Sequence, residues 1–180
     1  VGDEAVLAAA GFALSLGGAL EVRTFSVDIP RVPSPLASLL IDVPGLVQAA
    51  EDKSKSECAR LHGLIGGIGA APAVNCTSRQ VLLGGLLDAV AAETRYYDLA
   101  VLPWSKEEAS AQHLIEAVVF GSGRPAILVP GSARQPARLD HVAIAWDASR
   151  VAARALGDVL PLMQEGGRVS VLTVRDEKPM

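Results

Sequence analysis

Residues 141–156 read HVAIAWDASRVAARAL: an apolar run, an Asp, a Ser, then an amphipathic segment. Val142 and Ile144 alternate with small residues and predict a strand over 141–147, and the Ala, Leu and Arg pattern that follows predicts a helix over 150–163. After the glycines 166 and 167, RVSVLTV (168–174) predicts a second strand. A strand leading at once into a helix opens an α/β domain. Here it stands near the end of 180 residues, so the fold turns on what precedes it.

What precedes it is more of the same alternation. Residues 4–17 predict a helix stopped by Gly17-Gly18, and LEVRTFSVDI (20–29) predicts a strand ended by prolines 30, 33 and 35. A helix is expected from Gly45 to Leu64, with EDKSKSE as its solvated face, and a short strand from Pro72 to Cys76. A helix over 79–95, a buried strand LAVLPW (99–104), a helix over 106–120 and a strand PAILVP (125–130) complete the series. Buried strands separated by helices require crossover connections and a mostly parallel sheet. GSARQPARLD (131–140) is polar and rich in turn formers, so it is expected to be a linker.

The two parts repeat one another. Beside GFALSLGGALEVRTFSV (11–27) stands GDVLPLMQEGGRVSVLTV (157–174): Gly11 matches Gly157, Leu14 matches Leu160, and, after a short insertion, Gly17-Gly18 matches Gly166-Gly167. The spacing is that of a whole domain. In the second copy a strand precedes the helix, and in the first copy none does. Two arrangements follow: a first domain without its opening strand followed by the start of a second, or a permuted or swapped sheet in which 141–147 fills the vacant central place. A parallel sheet without its central strand exposes backbone on both sides of the gap, so something must occupy it.

Composition excludes several classes. Sixteen Lys and Arg against 20 Asp and Glu give a net charge of -4 with no basic run, which argues against a nucleic-acid partner. Cys58 and Cys76 lack partner motifs and are expected to be free thiols in a reducing cytoplasm, and His62, His113 and His141 show no metal-ligand spacing, so no metal is expected. AVLAAAGFALSLGGAL (5–20) follows two acidic residues and falls short of the roughly 20 that span a bilayer, so a buried helix is expected and no membrane partner. No paired carboxylates at a strand end, nucleophile elbow or P-loop is visible.

HVAIAWDASRVAARALGDVLPLMQEGGRVSVLTV resembles the opening of a universal stress protein domain, in which an apolar strand, Asp-Gly-Ser, a helix and a Val-rich strand follow one another. YYDLAVLPW is similar to that family's fourth strand, and FGSGRPAILVP to its last helix end and final strand. Together they resemble the tandem, two-domain bacterial subgroup. The resemblance implies an α/β, Rossmann-like open parallel five-stranded sheet of order 3-2-1-4-5 with helices on both faces. It places a first domain over 1–131, lacking its first strand, a linker over 132–140, and the beginning of a second domain over 141–180. It also implies a cytoplasmic stress-response protein, paired as a homodimer or as an intramolecular pseudo-dimer through last strands, with ATP or AMP bound at the carboxyl ends of the strands in some members.

Carried onto this chain, the resemblance makes Asp147 the adenine-facing acid, Ser149 the Ser of Asp-Gly-Ser, and Val174 a base-pocket residue of the second domain. Ala148 departs from the family's Gly. The other role open to Asp147 or Ser149 is capping of the helix that begins at Arg150. The family's phosphate loop, G-x-x-G, nine residues, G-[ST], needs glycines so that backbone N–H groups can reach phosphate oxygens. In the first domain SKEEAS (105–110) has none, the Gly-[ST] place falls on Gln112 and His113, and Glu107, Glu108 and Trp104 are adverse, so no ATP is expected there. For the second domain the loop would fall beyond Met180. GSGRPA (121–126) precedes a strand where a dinucleotide fingerprint must follow one, so a helix-end turn at Gly121 or Gly123 is expected, and a turn likewise at Gly66-Gly67-Ile68-Gly69. The expected function is non-enzymatic binding of a small ligand or adenine nucleotide; the alternatives are a structural dimerisation module and a weak ATPase.

Overall fold

The computed structural model describes residues 2–29, 43–68, 74–104, 109–131 and 139–174. Eleven elements alternate along them: α1 (Asp3–Ser15), β1 (Leu20–Asp28), α2 (Val43–Gly66), β2 (Val74–Leu82), α3 (Leu86–Thr94), β3 (Ala100–Trp104), α4 (Ala109–Gly121), β4 (Ala126–Pro130), β5 (His141–Ala145), α5 (Arg150–Val159) and β6 (Arg168–Leu172). The chain divides into two compact units, Val1–Ala133 and Arg134–Met180.

All strand pairs are parallel, as the helical crossovers require. They do not form one five-stranded sheet. β1 pairs with β2, β3 with β4, and β5 with β6, as three separate two-stranded sheets. β5 therefore does not fill a central place beside β1: its register, His141↔Arg168 to Ala145↔Leu172, is spent on β6. Two element boundaries also differ from expectation. The strand expected at 72–76 is β2, which runs to Leu82, and the helix expected over 79–95 begins only at Leu86 after one 3₁₀ turn, Leu83–Gly85. Nine residues of β1 supply a ladder for β2 as far as Asp28↔Leu82, and that pairing overrides the helical pattern of QVLLGGLL. At the other end of the chain, α5 stops at Val159 and a 3₁₀ turn, Leu160–Leu162, carries Pro161.

The first unit is built on α1. Ala5, Val6, Ala8, Ala9, Ala10 and Phe12 are buried, and a helix apolar nearly all round belongs in a core. Its alanines let it lie close: Gly131, just past β4, comes so near Ala5 that a Cβ there would sit 3.2 Å from the Ala5 Cβ. α3 and α4 pack equally tightly, with a Cβ at Gly121 falling 3.1 Å from that of Ala91, and Val118 on α4 is fully buried. α2 packs on β1, where Thr24 Oγ1, buried, meets His62 Nε2 at 3.1 Å and also donates to the Thr77 carbonyl at 3.4 Å.

The repeat seen in the sequence recurs in the backbone. α1 leads to β1 through Gly17 at φ +75°, and α5 leads to β6 through Gly166 at φ +80°. Both glycines take the left-handed conformation, Gly17 directly after α1 and Gly166 in the turn that follows the 3₁₀ segment and precedes β6.

Between β1 and β3 the first unit holds a cavity of 570 Å³, walled by α1, α2 and α4. Cys58 of α2 lines it and is buried; Cys76 on β2 is half-buried, and burial pushes its thiol up. Among the described residues no helix is long and apolar enough to cross a membrane.

Candidate functional site

In the second unit, the three residues singled out from the sequence stand at one end of one sheet. The Trp146 N–H donates to the Leu172 carbonyl at 2.8 Å and carries the β5–β6 ladder one bond past the assigned strands. Asp147 follows at the carboxyl end of β5, and Val174, 75% exposed, follows the carboxyl end of β6. Continued by two places, the register sets Asp147 opposite Val174. Strand carboxyl ends are where open α/β sheets receive ligands.

Local hydrogen bonding separates the two roles that were open for Asp147 and Ser149. Ser149 is the N-cap of α5: its Oγ accepts from the Ala152 N–H at 3.1 Å. Asp147 does not cap the helix. Its Oδ1 accepts from the Ser149 N–H at 2.9 Å and closes a tight turn. The Ser149 hydroxyl and backbone N–H hold the Asp147 carboxyl below the usual carboxylate range. It is therefore an exposed, ionised, acceptor-only group at neutral pH.

Between them Ala148 has φ +62°, the one non-glycine among the described residues with positive φ. Ala148 therefore holds a backbone conformation that favours glycine. A left-handed alanine costs roughly 1–2 kcal/mol, while a glycine there gives back roughly 0.4–1 kcal/mol in unfolded-chain entropy. Ala148→Gly is accordingly expected to stabilise the second unit by about 1 kcal/mol, read as a higher denaturant midpoint with unchanged m-value.

In the first unit the described residues at the carboxyl end of β3 do not repeat this arrangement. β3 closes on Trp104, which is 40% exposed; residues 105–108, with Glu107 and Glu108, lie outside the described residues. Gln112 and His113 sit in α4, where Gln112 Nε2 donates to Glu116 at 2.9 Å and His113 is exposed. In GSGRPA it is Gly123, not Gly121, that turns left-handed at φ +72°, and the Ser122 hydroxyl accepts from the Arg124 N–H at 3.1 Å. That is a helix-to-strand turn. The Gly66-Gly67-Ile68-Gly69 run ends α2, with Gly69 outside the described residues. His141 Nε2 and Ser170 Oγ lie 2.9 Å apart across β5 and β6, so His141 is occupied in its own sheet.

No model of a known protein family matches this chain, and no curated protein matches it. The site is therefore read from its own chemistry. The strain at Ala148 has a signal in the sequence, an alanine at the place where the Asp-Gly-Ser pattern has glycine.

Proposed function

We propose that this chain is a non-enzymatic stress-response protein of the universal stress type, whose second unit receives the base of an adenine nucleotide, ATP or AMP, against Asp147. The observation that carries the reading is the left-handed Ala148 between Asp147 and Ser149. It sets an exposed, ionised carboxylate just past the strand end, with one oxygen held by the Ser149 N–H, while Ser149 starts the helix. A carboxylate accepts only, so it selects a ligand edge that donates, as the exocyclic amine of adenine does. Val174 supplies exposed apolar surface beside it, suited to the face of a base. In this reading β2, β1, a vacant place, β3 and β4 correspond to the order 3-2-1-4-5, and the first unit, without glycines after β3, is architectural. It also carries the pairing expected through last strands, as a homodimer or pseudo-dimer.

Native mass spectrometry of the purified chain, followed by calorimetry with AMP and ATP, tests the reading. Adenine nucleotide is expected to bind, and Asp147→Ala to weaken it roughly ten- to a hundredfold, the worth of one hydrogen bond to a charged group. Absence of binding by the wild type, or equal binding by the variant, would remove the nucleotide from the function.

A further inference from the structure

Between α2 and the sheet of β1 and β2, polar residues stand where a helix packed on a sheet ordinarily meets apolar ones. Side chains alternate along a strand, and residues opposite one another in a pair share a face. Thr24 on β1 meets His62 on α2, so Ser26, two places on, and Ser78, the β2 partner of Thr24, lie on the side that α2 covers. From α2, Lys55, Cys58, Ala59 and His62 follow at the three- and four-residue spacing of one helix face. The two serines and these four residues wall a pocket of 260 Å³. It shares only Cys58 with the larger cavity beside β3.

Ser26 is 6% exposed, and among the described residues its hydroxyl has no hydrogen-bond partner. No sealed side-chain oxygen or nitrogen among those residues lacks a partner, so Ser26 Oγ faces the open space of the pocket that it lines. A hydroxyl withdrawn from bulk water in this way costs stability unless something bonds to it. The groups around it define that partner. The Lys55 ammonium only donates and makes no ion pair among the described residues, and the hydroxyls of Ser26 and Ser78 can both donate. Among the described residues no carboxylate lines the pocket: Glu51, one turn before Lys55, accepts from the Ile29 N–H at 3.0 Å, and Glu57 holds Arg60. One positive charge beside two hydroxyl donors, with no acid, repels a cation and suits an oxyanion. The volume is several times the roughly 30 Å³ of a water and below the roughly 300–1,000 Å³ of a site for larger organic ligands. We propose that this pocket binds a small oxyanion of the phosphate class, held by the Lys55 ammonium and the Ser26 and Ser78 hydroxyls. The proposal does not rest on the nucleotide reading, which concerns the second unit.

The test uses the full chain with inorganic phosphate and with glycerol phosphate, each against chloride at equal ionic strength and fixed pH. Calorimetry reads the affinity. The ring proton signals of the histidines read the place, since His62 lines the pocket while His113 and His141 lie on α4 and β5. Phosphate is expected to bind in one or both forms and to move the His62 signals alone; the tighter form tells whether the ion comes free or carried on a small molecule. Lys55→Gln and Ser26→Ala are each expected to weaken binding about tenfold, the worth of one hydrogen bond to a charged group. Lys55 is exposed, so its variant keeps the fold whatever Ser26→Ala does to it. Heat no greater than that of chloride would leave the pocket to water and overturn the proposal. So would binding that both variants leave unchanged, or that moves the His113 or His141 signals in place of those of His62.

Discussion

Val118→Asp is expected to unfold the first unit, with a loss of roughly 4 kcal/mol or more. Val118 has no exposed surface, and it lies one turn before Gly121, where α4 comes so close to α3 that a Cβ would sit 3.1 Å from that of Ala91. A buried carboxylate without a partner costs several kcal/mol, a large share of the roughly 5–15 kcal/mol that holds a domain together. Val118→Ala keeps the site apolar and should cost about 2 kcal/mol, the transfer of two methyl groups plus a small cavity. Trp104 reports on this unit and Trp146 on the other, so fluorescence of a Trp146→Phe background during urea unfolding isolates the effect. Equal midpoints for the Asp and Ala variants would show that the α3–α4 contact is not closed.

Gly167→Ala should lower the stability of the second unit by roughly 2–3 kcal/mol. A Cβ at Gly167 would lie 2.9 Å from the Gln164 carbonyl and 3.3 Å from that of Asp140, and backbone cannot yield as a side chain does. The same turn makes the bonds that tie the approach to β5 onto β6: Gln164 N–H to the Leu139 carbonyl at 3.0 Å, and Arg168 N–H to that of Asp140 at 2.7 Å. Moving the turn to admit a methyl group breaks them. Thermal unfolding read through Trp146 in a Trp104→Phe background checks it, and Ala148→Gly in the same protein is expected to restore part of the midpoint.

The contrast between Gly166 and Gly167 shows what kind of information sequence carries. The glycine pair stands between helix and strand in both copies, and the left-handed residue is Gly17 in one and Gly166 in the other. That Gly167 is needed for a different reason, the close carbonyls of Gln164 and Asp140, depends in part on Asp140, which is far from it in sequence. Ser149 is similar: Ser and Asp were equal candidates for the cap of α5, and only the geometry gives the cap to Ser149 and the turn to Asp147.

The sequence by itself determined the alternation of strands and helices, the parallel pairing that crossovers impose, the repeat of α1–β1 in α5–β6, and the candidates Asp147, Ser149 and Val174, because periodicity, glycine stops and turn formers act over a few residues. Only the tertiary structure decided how far β2 runs, since a neighbouring strand outweighs local helical preference, and that Ala148 keeps a glycine's backbone. It alone also decided that β5 joins β6 and not β1, because a strand can give each of its edges to only one neighbour and nothing within the strand names which.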